Sequence, residues 1–240
     1  MKNIYKLLNI TLACIITLST TAYAENAVTE QLEQRKQSFL KKAPQEKIDD
    51  YEEGIRQVHK SGVLDQAKNT GDQAPDFTLP NALGEHVNLY SHLEKSNIVI
   101  IWYRGEWCPY CNIYLNDIQK HIDQFTALNA QIIAISPTKP DESWSAEDKA
   151  ALKIHVLSDL NNKTAKTYGI AYTLPPKIAQ YYQEAFDLHG VNEDDSNLLP
   201  LSASYIINQH GEITYAYLNA DYRERAPTET LLQELRKLGK

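Results

Sequence analysis

The spacing of hydrophobic residues along the chain changes at about residue 70. Before that point the sequence is charged and has no strand signals, and a thin apolar stripe recurs at helical spacing at Leu32, Phe39, Leu40, Ile48, Tyr51, Ile55 and Val58. Pro44 suits the first turn of a second helix, where the N–H that proline lacks would be unpaired anyway. Residues 25–70 are therefore expected to form a helical extension that docks on the domain behind it.

After Gly71 short apolar runs alternate with helical patterns. The continuous β-branched runs at 97–103 and 131–137 are typical of strands that are buried on both faces. Shorter strands are expected on either side of Asn81–Gly84, at 155–159, and as a pair across His210–Gly211. Helical spacing is found at 110–130, 145–154, 174–190 and from Pro227 to Gly239. This order predicts an α/β fold in which helices flank a central mixed β-sheet.

The segment from Thr173 to Pro200 is longer than a minimal fold of this kind needs. A lid, a partner surface and an ordinary insertion are all open interpretations of it.

The first 24 residues have the pattern of a secretory signal. Lys2 and Lys6 precede an apolar stretch, and Ala22 and Ala24 are small residues that suit cleavage after Ala24. We therefore expect a signal peptide at 1–24, the helical extension at 25–70 and one further domain at 71–240, in a periplasmic or secreted protein. A retained membrane anchor and a lipoprotein attached at Cys14 are the alternatives.

The charge of the chain limits its partners. The formal net charge is −7, and it becomes −9 without Lys2 and Lys6 of the leader. Such an acidic excess argues against nucleic acid or an anionic membrane surface as the main partner.

The cysteine pair is the main candidate for chemistry. Cys108 and Cys111 are the two cysteines that remain after the leader. A bridge between positions three apart closes almost no loop, so a structural staple is disfavoured. Zinc would need two further ligands, and among the histidines His121 alone is near in sequence. The remaining interpretation is redox chemistry.

The position of the pair predicts a division of labour. Cys108 lies between a buried strand and a helix, where unpaired N–H groups and the helix dipole stabilise a thiolate. The same turn is expected to leave the Cys108 sulfur within reach of substrates, with Cys111 more shielded one helical turn later. Cys108 would therefore attack, and Cys111 would resolve the intermediate.

Arg104 ends the apolar strand four residues before Cys108. A surface arginine at a strand end is the simple interpretation. The functional one is a cation beside the thiolate that lowers its pKa and polarises the substrate.

Several motifs together resemble a known family. They are GDQAPDFTL, VIIWYRGEWCPYCN, AISPTKPDE, VLSDLNNKTAKTYGI and ASYIINQHGEI. They are similar to the AhpC/TSA peroxiredoxin superfamily, and more narrowly to its bacterial peroxiredoxin-like branch with a Tyr-Arg-Gly-x-Trp-Cys-Pro-Tyr-Cys-Asn signature. The resemblance implies a thioredoxin-like fold of the peroxiredoxin type for 71–240, with Cys108 as the peroxidatic cysteine.

The resemblance also assigns the residues around the pair. Arg225 matches the late arginine of that branch, and Arg223 is its near neighbour. Typical peroxiredoxins place a threonine or serine hydroxyl where this chain has Gly105, so Gly105 would line the substrate site without that hydroxyl. Trp107 either lines the same site or packs on the sheet and shields the thiols. Thioredoxins place a cis-proline opposite the pair, and this chain has Ser202 at the corresponding position. Ser202 and Ser204 are either sulfur contacts or ordinary strand hydroxyls.

Three classes of function follow. The first is an exported thiol-dependent peroxidase that reduces hydroperoxides through a Cys108 sulfenic acid and a Cys108–Cys111 disulfide. The second is a periplasmic thiol–disulfide oxidoreductase of the thioredoxin type, and the third is a binding domain with an idle disulfide. The dithiol itself would carry the electrons, so no cofactor is expected. A thioredoxin-like or membrane-linked dithiol would act as the reductant, and a homodimer is an open alternative to a monomer.

Overall fold

The computed structural model of the protein describes residues 27–139 and 153–239. The expected signal peptide at 1–24, the lipoprotein alternative at Cys14 and most of the helical pattern at 145–154 lie outside these residues. Within the described ranges, no helix combines the length and the apolar character that crossing a membrane requires.

The strands form one large sheet and two small ones. Five of them make the large mixed sheet in the order β5-β4-β3-β8-β9, while β1 pairs with β2 and β6 with β7. The strands are β1 (Thr78–Pro80), β2 (His86–Asn88), β3 (Asn97–Trp102), β4 (Ala130–Ser136), β5 (His155–Ser158), β6 (Ala171–Thr173), β7 (Leu198–Pro200), β8 (Ser204–Ile207) and β9 (Ile213–Tyr217).

Helices surround this sheet. They are α1 (27–42), α2 (Gln45–Lys60), α3 (Val63–Gln66), α4 (Leu89–Leu93), α5 (Pro109–Lys120), α6 (Ile122–Ala127), α7 (Lys163–Thr167), α8 (Pro176–Phe186), α9 (Leu188–Asn192) and α10 (Thr228–Leu238), with a 3-10 turn at Leu160–Asn162.

The central strand β3 places the cysteine pair. It runs parallel to β4, from Asn97 opposite Ala130 to Trp102 opposite Ile135, and antiparallel to β8. Every residue of β3 after the first is buried, as the continuous apolar run predicted. Because β3 is the middle strand of the sheet and α5 begins at Pro109, the loop between them lies at the carboxyl end of the central strand and not beside an outer strand.

Alternate residues of β3 contribute to two cores. Ile98, Ile100 and Trp102 face one core, and Val99 and Ile101 face the other. The second core also contains both cysteines, Val28 and Leu32 of α1, and three leucines of α10 at positions 231, 232 and 235. The N-terminal helix therefore packs on the same side of the sheet as the two thiols.

The predicted α/β class with a central mixed sheet is confirmed, and two local expectations are wrong. The helix expected over 110–130 is broken at His121, where the imidazole Nδ1 lies 2.8 Å from the Asp117 carbonyl oxygen and the His121 N–H donates to Ile118 instead. The helical pattern at 174–190 is likewise divided at Asp187, which adopts a left-handed backbone with φ +50°.

The segment from Thr173 to Pro200 is an ordered part of the fold. Its two ends lie in β6 and β7, which pair with each other from Ala171 opposite Pro200 to Thr173 opposite Leu198. In the sequence, helix α8 comes between these two strands, and in the fold it packs against α2. The side chains of α8 therefore reach the region above the end of β3.

Candidate active site

Cys108 occupies the N-cap position of α5. Its N–H donates to the Gly105 carbonyl at 3.1 Å, and its own carbonyl accepts from the Asn112 N–H at 3.1 Å. Pro109 follows at the first helical position, where its missing N–H leaves no bond unmade. This arrangement directs the positive end of the α5 dipole at the Cys108 sulfur.

Arg104 lies against the Cys108 sulfur. Its Nη2 donates to Cys108 Sγ at 3.3 Å, and its Nη1 donates to the Tyr182 hydroxyl at 2.6 Å. The side chain is 3% exposed, so the cation is held inside the protein. The functional interpretation of Arg104 thus has the geometry that it requires.

Arg225 lies in the same way against the other thiol. Its Nη2 donates to Cys111 Sγ at 3.3 Å. Its Nη1 donates to the carbonyl oxygens of Tyr222 and Glu224, which fix the guanidinium in position. Each sulfur of the pair therefore has its own buried cation.

Arg223, the neighbour of Arg225, does not reach the thiols. Its guanidinium pairs with Asp221 at 2.7 Å and with Glu52 of α2 at 2.6 Å. These contacts tie the loop that carries Arg225 to the N-terminal helical layer. Arg223 is thus placed to support the site from outside.

The thiols of Cys108 and Cys111 have very different pKa values. Burial alone would raise the pKa of Cys108, but a hydrogen bond with Cys111 and the charges of Arg104 and Arg225 outweigh it and hold that pKa well below its ordinary value. The pKa of Cys111 is raised well above its ordinary value by burial, by the same hydrogen bond and by the Cys108 charge. Both cysteines are free, and the lower thiol pKa of Cys108 makes it the more nucleophilic sulfur of the two.

The Cys108 sulfur is fully buried, which contradicts the expectation that substrates reach it directly at the turn. That expectation was based only on the strand and the helix that flank Cys108. In the structure Arg104 and the aromatic residues around it cover the sulfur, and α2 and α8 supply part of that cover.

Most of the aromatic cover of Arg104 was not identified from the sequence. The guanidinium lies 3.6 Å from the Tyr222 ring centroid, and 5.0 and 5.1 Å from those of Tyr182 and Trp107. Burial raises the pKa of Tyr182 to about 12, against the lowering effect of Arg104. Tyr182 is therefore a neutral phenol at ordinary pH and able to donate a hydrogen bond. Trp107 was predicted at the site from the sequence, whereas Tyr182 and Tyr222 had no signal beyond an aromatic content that packing alone would also explain.

The structure leaves no room at position 105 for the hydroxyl-bearing side chain that typical peroxiredoxins have there. Its φ is +138°, and a Cβ would lie 2.4 Å from Trp107 Nε1 and 2.7 Å from Thr138 Cγ2. Both the backbone and the surroundings are therefore specific for glycine at this position.

Neither predicted serine forms a hydrogen bond with a sulfur. Ser204 Oγ is 3.3 Å from the Tyr114 hydroxyl, and the buried Ser202 Oγ has no hydrogen-bond partner in the part of the chain that the structure describes. Across those same residues there is no cis peptide bond. Hydrogen bonds and ring contacts link Arg104 with Cys108 and Trp107, and Arg225 with Cys111, and neither serine takes part in these contacts.

The described residues include no group of three or more histidine, cysteine or acidic side chains placed to hold a metal ion. The polar groups at the two sulfurs are cationic, which suits a thiolate or an oxyanion and not a metal cation.

Solved structures of similar shape define the class of fold. The crystal structure of peroxidoxin BcpB from Mycobacterium tuberculosis matches with a TM-score of 0.54 and 19% identity, over 71% of this chain and 97% of the other. The reduced 2-Cys peroxiredoxin of Plasmodium vivax matches with a TM-score of 0.53 and 16% identity, over 72% of this chain and 82% of the other. These likenesses show a thioredoxin-like fold.

The sequence comparisons show the family. The AhpC/TSA family matches residues 70–216, which is more than half of the chain, and the protein belongs to that family. Peroxiredoxin Bcp of Escherichia coli K12 is 26% identical over 100 residues, or 42% of this chain and 64% of that protein. A Mycobacterium tuberculosis protein whose name assigns it to the peroxiredoxins is 29% identical over 99 residues, or 41% of this chain and 62% of that protein. The matched regions thus span less than two thirds of these two relatives.

Proposed function

We propose that the protein is an exported thiol-dependent peroxidase. The observation that carries the proposal is the pair of buried guanidinium groups, each 3.3 Å from one sulfur, of which Arg104 favours a thiolate at Cys108, while burial and the neighbouring Cys108 charge favour a protonated thiol at Cys111. Membership of the AhpC/TSA family supports the same chemistry. Export rests on the leader pattern of the first 24 residues.

In the first step the Cys108 thiolate attacks the distal oxygen of a hydroperoxide. A sulfur–oxygen bond forms, the oxygen–oxygen bond breaks, and the released alkoxide or hydroxide takes up a proton to leave as an alcohol or water. Arg104 holds the thiolate before attack, and its remaining N–H groups are placed to stabilise the negative charge that develops on the leaving oxygen.

In the second step the Cys111 thiol condenses with the Cys108 sulfenic acid. A disulfide forms and one water leaves, so each turnover oxidises two thiols and reduces one peroxide. Arg225 next to Cys111 favours the thiolate that this step needs. An external dithiol, thioredoxin-like or membrane-linked, would return two electrons to the pair.

Burial favours this function over disulfide exchange with proteins. Both sulfurs of the reduced pair are fully buried, and a small peroxide needs far less room to approach them in this form than a polypeptide disulfide does. Ser202, at the sequence position where thioredoxins have a cis-proline, also follows a trans peptide bond.

The test is hydroperoxide consumption by the purified protein with thioredoxin or dithiothreitol as the reductant. We expect turnover by the wild type and none above background for Cys108→Ser. Insulin reduction is measured in parallel. Reduction of insulin by a protein that does not consume peroxide would replace this function with thiol–disulfide exchange.

A further inference from the structure

A cavity of about 180 Å³ lies beside the thiol pair. It is formed by α1, α2, α8, the loop after β3 and Tyr222, and Arg104 is common to the cavity wall and to the Cys108 contact. A molecule in this cavity would therefore lie against the guanidinium group that contacts the reactive sulfur, and a shift of the Arg104 side chain would bring its oxygen atoms to Cys108.

The walls of the cavity are largely aromatic. Seven aromatic side chains line it: Phe39, Tyr51, Trp107, Tyr110, Tyr182, Phe186 and Tyr222. Trp107 and Phe186 are stacked with their ring centroids 5.0 Å apart. A cavity of about 150 Å³ is enough for one benzene ring. The size and the lining therefore suit a single aromatic ring with small substituents.

The charged side chains of the lining are all cations: Arg35, Lys47 and Arg104, with no carboxylate among the lining residues. They differ in depth, since Arg104 is buried, Lys47 is half-buried and Arg35 is exposed. In the described part of the chain, neither Arg35 nor Lys47 forms an ion pair, and Lys47 Nζ lies 4.8 Å from the centroid of the Tyr181 ring. On a chain with a formal net charge of −7, this cavity is locally positive.

Two buried donors in the wall lack an acceptor. Arg104 Nε and Trp107 Nε1 have no hydrogen-bond partner among the residues that the structure describes. A buried N–H without an acceptor is unfavourable, but both atoms are closed off from the cavity, so a bound molecule would accept from them only after the surrounding side chains move.

We propose that the cavity selects organic hydroperoxides that carry an aromatic body and an anionic group such as a carboxylate. The hydroperoxide oxygens would accept from Arg104 at the buried end, and the carboxylate would lie towards Arg35 and Lys47 at the exposed end. This substrate class rests on the proposed peroxidase function and deepens it. The chemistry is the attack by Cys108 already described, with an aryl-substituted alcohol as the leaving product.

The test compares two matched substrates, cumene hydroperoxide and its para-carboxylate. We expect the wild-type kcat/KM to be higher for the carboxylate by about three- to tenfold, the size expected for two partly exposed ion pairs. The double variant Arg35→Gln, Lys47→Gln should lose that preference. Lys60→Gln removes an exposed cation of α2 that does not line the cavity, and it should keep the preference. Equal kcat/KM for both substrates in the wild type would overturn the proposal.

A binding measurement separates this inference from the peroxidase function. Calorimetry with the Cys108→Ser variant uses 4-isopropylbenzoate, which has the ring and the carboxylate but no peroxide, and its neutral amide as the control. Preferential binding of the carboxylate, lost in the Arg35→Gln, Lys47→Gln background, supports the anionic cavity even if no peroxide is consumed. Peroxide turnover without carboxylate binding would overturn the cavity assignment and leave the peroxidase function intact.

Discussion

Replacing Arg104 by glutamine should raise the pKa of Cys108. The change removes a buried charge-assisted hydrogen bond of 3.3 Å to the sulfur while keeping a polar side chain. Hydrogen bonds to charged groups contribute about 1.5–3 kcal/mol, and one pKa unit corresponds to about 1.36 kcal/mol. The expected rise is therefore about 1–2 pKa units. Arg104→Lys keeps the charge without the guanidinium fork and should give a smaller rise.

The assay is the rate of alkylation by iodoacetamide as a function of pH. It is made in a Cys111→Ser background, where Cys108 is the thiol that titrates and the serine hydroxyl still offers a hydrogen bond. Arg56→Gln is the matched control, because Arg56 is an exposed arginine that pairs with Glu53 of its own helix. An alkylation pKa that does not change in Arg104→Gln would refute the assigned role of Arg104.

The depressed pKa of Cys108 also predicts how the free energy of unfolding of the reduced protein depends on pH. The pKa of Cys108 is depressed in the folded protein, so the stability of the reduced form rises with pH up to the ordinary thiol pKa of about 8.5, above which the raised pKa of Cys111 acts in the opposite direction. That gain is lost as the pH falls through the folded pKa of Cys108. Urea unfolding of the reduced protein should show this dependence, and Cys108→Ser should lack it.

Three further predictions concern the surroundings of the pair. Gly105→Thr should destabilise the fold by about 1–3 kcal/mol in urea unfolding and should not raise peroxide turnover, since the added side chain meets Trp107 and Thr138. Tyr182→Phe removes the hydroxyl that accepts from Arg104 and should lower kcat/KM for peroxide by about tenfold, the equivalent of one hydrogen bond. Glu52→Gln leaves Arg223 with Asp221 alone and should speed hydrogen exchange in the loop that carries Arg225.

Matched controls exist for these variants. Gly84 has φ +80° and no atom within 4 Å of an added Cβ, so Gly84→Thr reports the backbone strain without the steric contact. Tyr181 is the neighbour of Tyr182 in α8 and its hydroxyl donates to Asp50, so Tyr181→Phe should leave turnover near the wild-type level. Equal loss in both tyrosine variants would point to a general effect on α8.

The elements that local sequence determines were predicted well. The buried strands β3 and β4 have continuous runs of β-branched residues, which are typical of strands that are buried on both faces. The helix break at His121 was missed because apolar residues continue at helical spacing on both sides of it, and the break depends on a side-chain contact with the Asp117 carbonyl. The strands β6 and β7 are as short as β1 and β2, but no tight turn joins them in the sequence, and they are stabilised by pairing with each other across α8 and α9.

The residues of the candidate site also differ in how well the local sequence predicts them. Cys108, Cys111 and Arg104 lie within eight residues of one another, so a local motif was enough to bring them together. Arg225 is far away in sequence, and it was found through family resemblance and not from any pattern around it. The aromatic cover from Tyr182 and Tyr222 depends on how α8 and the loop after β9 pack over Arg104, which no local signal records.

The most direct test of the account is a titration of the fully reduced protein with hydroperoxide, followed by mass spectrometry of the peptide that contains Cys108 and Cys111. The account predicts that one equivalent of peroxide removes both thiols and forms one intramolecular disulfide. It also predicts that Cys111→Ser stops at a Cys108 sulfenic acid. Thiols that remain reduced after several equivalents of peroxide would contradict the central claim that Cys108 is a peroxide-reactive thiolate resolved by Cys111.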